Sequence, residues 1–284
     1  MKIDFHTHPM MIQEIQENNP DLSNAIKDVF GLLFPAQPLQ VFLLEMDAAG
    51  IDQSVLLPID CSTAFGCKIP SNEIVARLVE KNERFIGFAS VDPNSESACR
   101  DLEFAIKELN LKGLKLDPSI QHFSLLDEKK THPIYQLCGS LNVPVLIHCG
   151  ISWAPNGLSR LGRPGDLEES IQKYPNTNFI IAHLGWPWVE EAVMLAMKYP
   201  NAYLDTSVVY SGTPKECLQH VIGTTIGKYV FERNLIRKTV YGSNYPRQDM
   251  RRAIRGFNAL DFSQEFTENA FFNTAQRLLR GENQ

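Results

Sequence analysis

Short runs of β-branched and aromatic residues recur along this chain, and after each comes a longer stretch whose apolar residues return at i, i+3, i+4 and i+7. Such switching between period 2 and period 3.6 marks repeated strand–helix units around a parallel sheet. Eight strands are predicted: "KIDFHTH" (2–8), "QSVLLP" (53–58), "FIGFASV" (85–91), "KGLKL" (112–116), "VPVLIHC" (143–149), "NFIIAH" (178–183), "AYLDTS" (202–207) and "TVYGSN" (239–244). Amphipathic segments such as "SNEIVARLVEKNE", "ACRDLEFAIKELN", "PIYQLCGSL", "GDLEESIQKYP" and "WVEEAVMLAMKYP" lie between them, each with one apolar face to turn toward the sheet. Runs such as "FIIA" and "VPVLI" are almost wholly apolar, which suits strands covered on both faces.

Eight units predict an α/β fold of the (β/α)8 TIM-barrel type, with an open doubly wound sheet as the alternative. No repeat, low-complexity stretch or linker divides residues 1–284, so a single domain is expected. Two connections, at about residues 9–47 and 150–165, are longer than a crossover needs and distort the regular pattern. Each follows the C-terminal end of a strand, where long loops serve as lids or binding loops.

Composition narrows the partners. Apolar residues make up 44% and charged residues 21% of the chain, ordinary for a globular protein with a sizeable core. The net charge is -6, and the longest basic runs are pairs such as Lys129-Lys130 and Arg251-Arg252. Nucleic acid and membrane surfaces call for a basic patch, so neither is expected, and a small molecule is. A homodimer is compatible with this composition. The opening residues lack a signal-like apolar stretch, and no segment reaches the roughly 18 apolar residues of a membrane span, so a cytoplasmic location is expected. Cys61, Cys67, Cys99, Cys138, Cys149 and Cys217 show no CxxC spacing, which suggests neither a zinc ribbon nor a disulfide framework. Strand alternation points Cys149 away from whatever His148 faces.

The histidines carry the chemistry. His6 and His8 are two residues apart at the end of a strand, so their imidazoles share one face and can grip one ion. His148 lies near the end of the fifth predicted strand and His183 ends the sixth. In a (β/α)8 barrel those ends converge on one mouth, where active sites lie. Three or four imidazoles brought together there suit a divalent transition metal, zinc being the natural candidate and manganese the alternative. His122, His132 and His220 fall in predicted loops or helices and are read as surface residues.

The stretches "DFHTH", "GLKLDP", "VPVLIHCG", "FIIAHLGWPW", "VYGSNYP" and "ENAFFNTAQRLL" together resemble, in order and over nearly the whole chain, the amidohydrolase superfamily. Specifically they resemble amidohydrolase family 2, which includes aminocarboxymuconate-semialdehyde decarboxylase, related aromatic-acid decarboxylases and pyrone-dicarboxylate lactonase. The resemblance implies a distorted, amidohydrolase-like barrel in which His6, His8 and His148 hold one divalent metal. It implies that His183 reaches the substrate or the water and acts as general acid or base. At the eighth strand the family usually reads G-[ST]-D-[FY]-P, its Asp serving as ligand and base, whereas this chain has Asn244. An amide oxygen can coordinate, but it brings no negative charge and takes no proton at neutral pH. A natural variant that relies on His183, a subgroup tuned to decarboxylation, and an engineered Asp→Asn change all remain open. Asp249 is read as the cap of a helix starting near Met250.

Lys115 ends the fourth strand, where some other members of the superfamily use a carboxylated lysine to bridge two metals. A binuclear site is the lesser alternative, because "GLKLDP" resembles the mononuclear branch, and Lys115 is read as a cation attracting an anionic substrate. Arg160, Arg163 and Arg247 add positive charge to loops after strands five and eight, suggesting a carboxylate-bearing substrate. Trp186 and Trp188 either wall the pocket or pack between barrel and helix. The expected function is a metal-dependent hydrolase acting on a small carboxylate. A non-oxidative decarboxylase is the alternative, and from another class a barrel that has lost catalysis through Asn244 and survives as a binding protein.

Overall fold

In the computed structural model, residues 1–17, 19–33, 35–207 and 212–282 are described. All eight predicted barrel strands are present in shortened form: Ile3–Thr7, Gln53–Leu56, Phe85–Gly87, Leu114–Leu116, Val145–Ile147, Phe179–Ile181, Ala202–Asp205 and Thr239–Val240. The first three pair in parallel, as do the last five. Backbone bonds span both seams between these sheets. Ala89 donates to Gly113 and accepts from Lys115, each at 2.7 Å, while Phe5 donates to Tyr241 at 2.8 Å and Asn244 to His6 at 2.9 Å. The eight strands thereby form a ring, a TIM barrel whose distortion lies at the seams, where the ladder is reduced to single bridges.

The predicted helices follow their strands as Asn72–Lys81, Ala98–Lys107, Glu128–Ser140, Glu168–Lys173 and Val189–Lys198. Asp249 caps the helix Met250–Asn258 as expected, accepting from the Arg252 amide at 2.8 Å. Among the elements not anticipated is an antiparallel hairpin of Ile59–Cys61 with Cys67–Ile69. Its sequence, "IDCSTAFGCKI", lacks the clean alternation that would announce a strand pair. Among the described residues, no helix is long and apolar enough to cross a membrane.

In-register parallel pairing explains where the site must lie. Lys115, Leu146, Ile180 and Tyr203 stand side by side across four strands. Leu146, Ile180 and Tyr203 belong to an inner cluster with Phe5, Val55, Phe88 and Val240, separate from the larger cluster that contains the helices' apolar faces. Side chains two residues further along a strand share the same face, so the next layer toward the strand C-termini holds Asp117, His148, Ala182 and Asp205. The apolar plug thus ends and the polar mouth begins within one pleat. At Gly242 a Cβ would stand 2.6 Å from an Asp205 carboxylate oxygen and 2.7 Å from the His6 Cβ, so only glycine lets the eighth strand approach these two residues.

Candidate active site

Each imidazole at the mouth has one nitrogen assigned by its partner. His6 Nδ1 lies 2.5 Å from Asp205 Oδ2, and His8 Nδ1 lies 2.9 Å from the Leu57 carbonyl. Carboxylate and carbonyl oxygens only accept, so both Nδ1 atoms carry the hydrogen. Burial, above all other effects, holds the pKa values of His6 and His8 below the ordinary value, so both rings are neutral and each Nε2 bears a lone pair. These two lone pairs face each other at 3.2 Å, an arrangement that repels unless a cation lies between them. Two nitrogens each about 2.0–2.1 Å from a tetrahedral ion lie about 3.3 Å apart.

The other two histidines are assigned the same way. His183 Nδ1 lies 3.2 Å from the Ser207 carbonyl and 2.7 Å from the Ser207 hydroxyl; the carbonyl can only accept, and with Nδ1 assigned as its donor Nε2 is the acceptor. The partner of that Nε2 is His148 Nδ1 at 3.0 Å, which therefore donates. His148 Nε2 is left as a buried lone pair without a hydrogen-bond partner among the described residues. Burial pushes the His148 pKa down to about 4, against the opposing pull of Asp117, whose Oδ2 lies 3.6 Å from Nδ1. The donor set His6, His8 and His148 thus offers three unclaimed imidazole nitrogens and fits a divalent transition metal. Among the described residues, however, no three His, Cys, Asp or Glu side chains already stand together as a metal-binding cluster; His148 is turned to His183.

Backbone conformation places two of these residues. His183 and Leu184 adopt left-handed φ values of 59° and 51° before Gly185 at 67°, a run that costs energy for non-glycine residues and recurs at functional sites. Asn244 is likewise left-handed at 63°, a conformation asparagine tolerates well. It is 3% exposed and lines the same pocket as His8, His148 and His183.

That pocket has a volume of about 40 Å³ and is also lined by Lys115, Asp117 and Arg247. Both long insertions contribute, Met10, Phe30 and Leu32 from the first and Ile151, Ser152, Trp153 and Ala154 from the second. They meet over the site: Pro155 lies 3.3 Å from where a Gly31 Cβ would stand. Lys115 is 1% exposed, and among the described residues its ammonium has no hydrogen-bond partner; burial depresses its pKa while Asp117 and Asp205 raise it. Arg247 donates to the Phe30 carbonyl at 3.0 Å, tying the first insertion to the loop after strand eight.

Three predicted substrate contacts are not brought to the pocket. Arg163 is exposed and forks onto Glu191, with a closest approach of 2.6 Å, because the helix Val189–Lys198 presents that carboxylate to the outer side of the loop. Arg160 is exposed and absent from the lining. Trp186 is half-buried and packs on the outer apolar cluster, as the second alternative for the tryptophans supposed. Conversely, Asp117 and Ser207 went unremarked in the sequence, although Asp117 stands two residues beyond Lys115 and Ser207 two beyond Asp205. Asp4 was missed as well: burial pushes its carboxyl up to about 7 despite hydrogen bonds from Ser243 and the His6 amide.

Barrel, seams and mouth together define a TIM barrel of the amidohydrolase type. The chain belongs to that family: the amidohydrolase family model matches residues 3–281. In fold it is similar to a TIM-barrel protein from Bordetella bronchiseptica, with a TM-score of 0.78 and 22% identity over 99% of this chain and 98% of that one. It is also similar to a manganese-bound 5-carboxyvanillate decarboxylase from Novosphingobium aromaticivorans (TM-score 0.67, 16% identity, 99% and 97% covered). A probable 2-pyrone-4,6-dicarboxylic acid hydrolase from Acinetobacter baumannii, with citric acid bound, gives 0.63 and 16% over 98% and 99%. A stretch of 82 residues, 28% of this chain, is 30% identical to Protein fluG of Emericella nidulans and spans 9% of that protein's length.

Proposed function

We propose that this protein is a metal-dependent hydrolase acting on a small carboxylate-bearing substrate. The observation that carries the reading is the pair of neutral His6 and His8 Nε2 lone pairs facing each other at 3.2 Å, beside a pocket lined by His8 and by Lys115, whose ammonium has no hydrogen-bond partner among the described residues. His6, His8 and His148 would hold the ion, zinc or manganese, with the amide oxygen of Asn244 beside them. A divalent ion there supplies a Lewis acid that polarises a carbonyl and lowers the pKa of water toward neutrality.

The remaining steps belong to the chain itself. Asp205 fixes the His6 tautomer and makes that ring a stronger donor. Lys115 and Arg247 attract and orient the substrate carboxylate, the former from a dry site where its charge is least screened. With its hydrogen on Nδ1 against Ser207, His183 takes up and returns a proton at Nε2 once the substrate replaces the His148 Nδ1 hydrogen bond to that atom. Trp153 and Phe30, on the two insertions, keep bulk water from the pocket.

Decarboxylation by the same residues is the second reading, and Asn244 favours it, because a reaction that needs no attacking water needs no base at that position. A panel of small aromatic and cyclic carboxylates, assayed with the metal-loaded protein, tests both. Incorporation of oxygen from labelled water supports hydrolysis, whereas carbon dioxide release without incorporation supports decarboxylation. No turnover of any member, together with no retained zinc or manganese, refutes both and leaves a binding protein.

A further inference from the structure

Away from the mouth, Cys61 and Cys67 face each other as register partners across the hairpin Ile59–Cys61 and Cys67–Ile69. Directly opposed residues of an antiparallel pair have Cα atoms about 4.5–5.5 Å apart, within the roughly 4.4–6.8 Å that a disulfide spans. The two Sγ atoms are 3.5 Å apart. Cys61 is buried and Cys67 half-buried, so one sulfur is open to a reagent and the other waits beneath it. Contact with the Cys61 thiol lowers the Cys67 pKa, the direction that favours the attacking thiolate. The hairpin is anchored near the pocket: the Asp60 carbonyl accepts from Gln121 Nε2 at 2.7 Å, and Gln121 Oε1 accepts from the Asp117 amide at 2.8 Å.

We propose that Cys61 and Cys67 are a reversible redox pair that closes into a disulfide when the folded protein meets a small-molecule disulfide such as oxidised glutathione. The Cys67 thiolate attacks one sulfur of the oxidant, whose S–S bond breaks and releases one glutathione thiolate. Cys61, having lost its proton, then attacks Cys67 Sγ and releases the second. Two protein thiols are oxidised, one glutathione disulfide is reduced to two thiols, and the two protons go to the departing thiolates.

The test is thiol counting and peptide mass on the native chain after incubation with oxidised glutathione. Both cysteines fall, without any other, in the tryptic peptide of residues 28–68, so the bond appears there as the loss of two hydrogens. Reactive thiols measured after unfolding should drop from six to four and return to six with dithiothreitol. In Cys61→Ser, residue 67 should stop at a stable glutathione adduct. Six thiols remaining in the wild type, a glutathione adduct on Cys67 that never resolves, or a bond between other cysteines would each overturn the proposal. Cys67→Ser provides the control, since losing Cys67 should leave Cys61 unmodified.

Discussion

Replacing Asn244 by aspartate is the change with the largest expected effect for the smallest alteration of shape. It puts a carboxylate at a position 3% exposed, on the wall shared with His8, His148 and His183. A unit charge pair at about 4 Å in an effective dielectric of about 20 gains about 4 kcal/mol, hence about 8 kcal/mol for a divalent ion. Desolvating the new carboxylate takes back several kcal/mol. A net gain of about 3 kcal/mol corresponds to roughly 100-fold tighter metal binding. Without metal the sign reverses: a buried carboxyl has its pKa raised, so the metal-free variant should lose stability as the pH rises through that value.

The assay is a titration of chelator-treated wild type and N244D with zinc and manganese against a competing dye, with melting curves of both forms. The variant should melt lower than wild type without metal, gain more on loading and bind the ion more tightly. If the reaction is hydrolysis limited by a missing base, turnover should also rise by about 10²- to 10⁴-fold. Tighter binding with no faster hydrolysis would point to decarboxylation. Unchanged affinity for both ions would refute the reasoning, because Asn244 would then not face the ion.

His6→Ala and His148→Ala should each lower metal content, whereas His183→Ala should keep the metal and lose turnover; equal metal loss in all three, by elemental analysis, would sink the division of roles. Lys115→Met removes a buried ammonium that has no hydrogen-bond partner among the described residues, so it should raise stability by about 1–3 kcal/mol in urea unfolding while raising KM for a carboxylate substrate; an unchanged KM would make Lys115 a core residue only. Asp4, pushed up to about 7 by burial from 3.8, contributes stability that is present below about pH 4 and lost as the pH rises to about 7, roughly 4 kcal/mol in all. Asp4→Asn should therefore be more stable than metal-free wild type at pH 8 but not at pH 4, and parallel stability curves across that window would contradict the burial argument.

The strands were legible because their signal is local. Each β-branched run has its own alternation, and all eight predicted segments contain an observed strand. The hairpin of 59–69 was not, since its pairing is held by long-range contacts such as the Ser90 hydroxyl accepting from the Asp60 amide at 3.0 Å, which no local pattern encodes. Arg163 shows the same limit at the site. A cation on a loop after a barrel strand can turn to the mouth or to the neighbouring helix, and the choice was made by Glu191, 28 residues away.

The histidines show where legibility stops within a site. That His6, His8, His148 and His183 share one mouth follows from strand periodicity plus ring closure, and period 2 likewise fixes Asp117 and Asp205 one layer above Lys115 and Tyr203. Which nitrogen each ring leaves open does not follow, because it is set by acceptors remote in sequence: Asp205 for His6, the Leu57 carbonyl for His8 and the Ser207 carbonyl for His183. Asp205 and the Leu57 carbonyl leave the Nε2 atoms of His6 and His8 as lone pairs, and with Nδ1 of His183 donating to the Ser207 carbonyl, its Nε2 accepts from His148 Nδ1. The chemistry of a cation site is therefore written less in the four histidines than in the oxygens behind them. On that argument, Asp205→Ala should weaken zinc binding about 10- to 100-fold in the competing-dye titration, and an unchanged affinity would refute it.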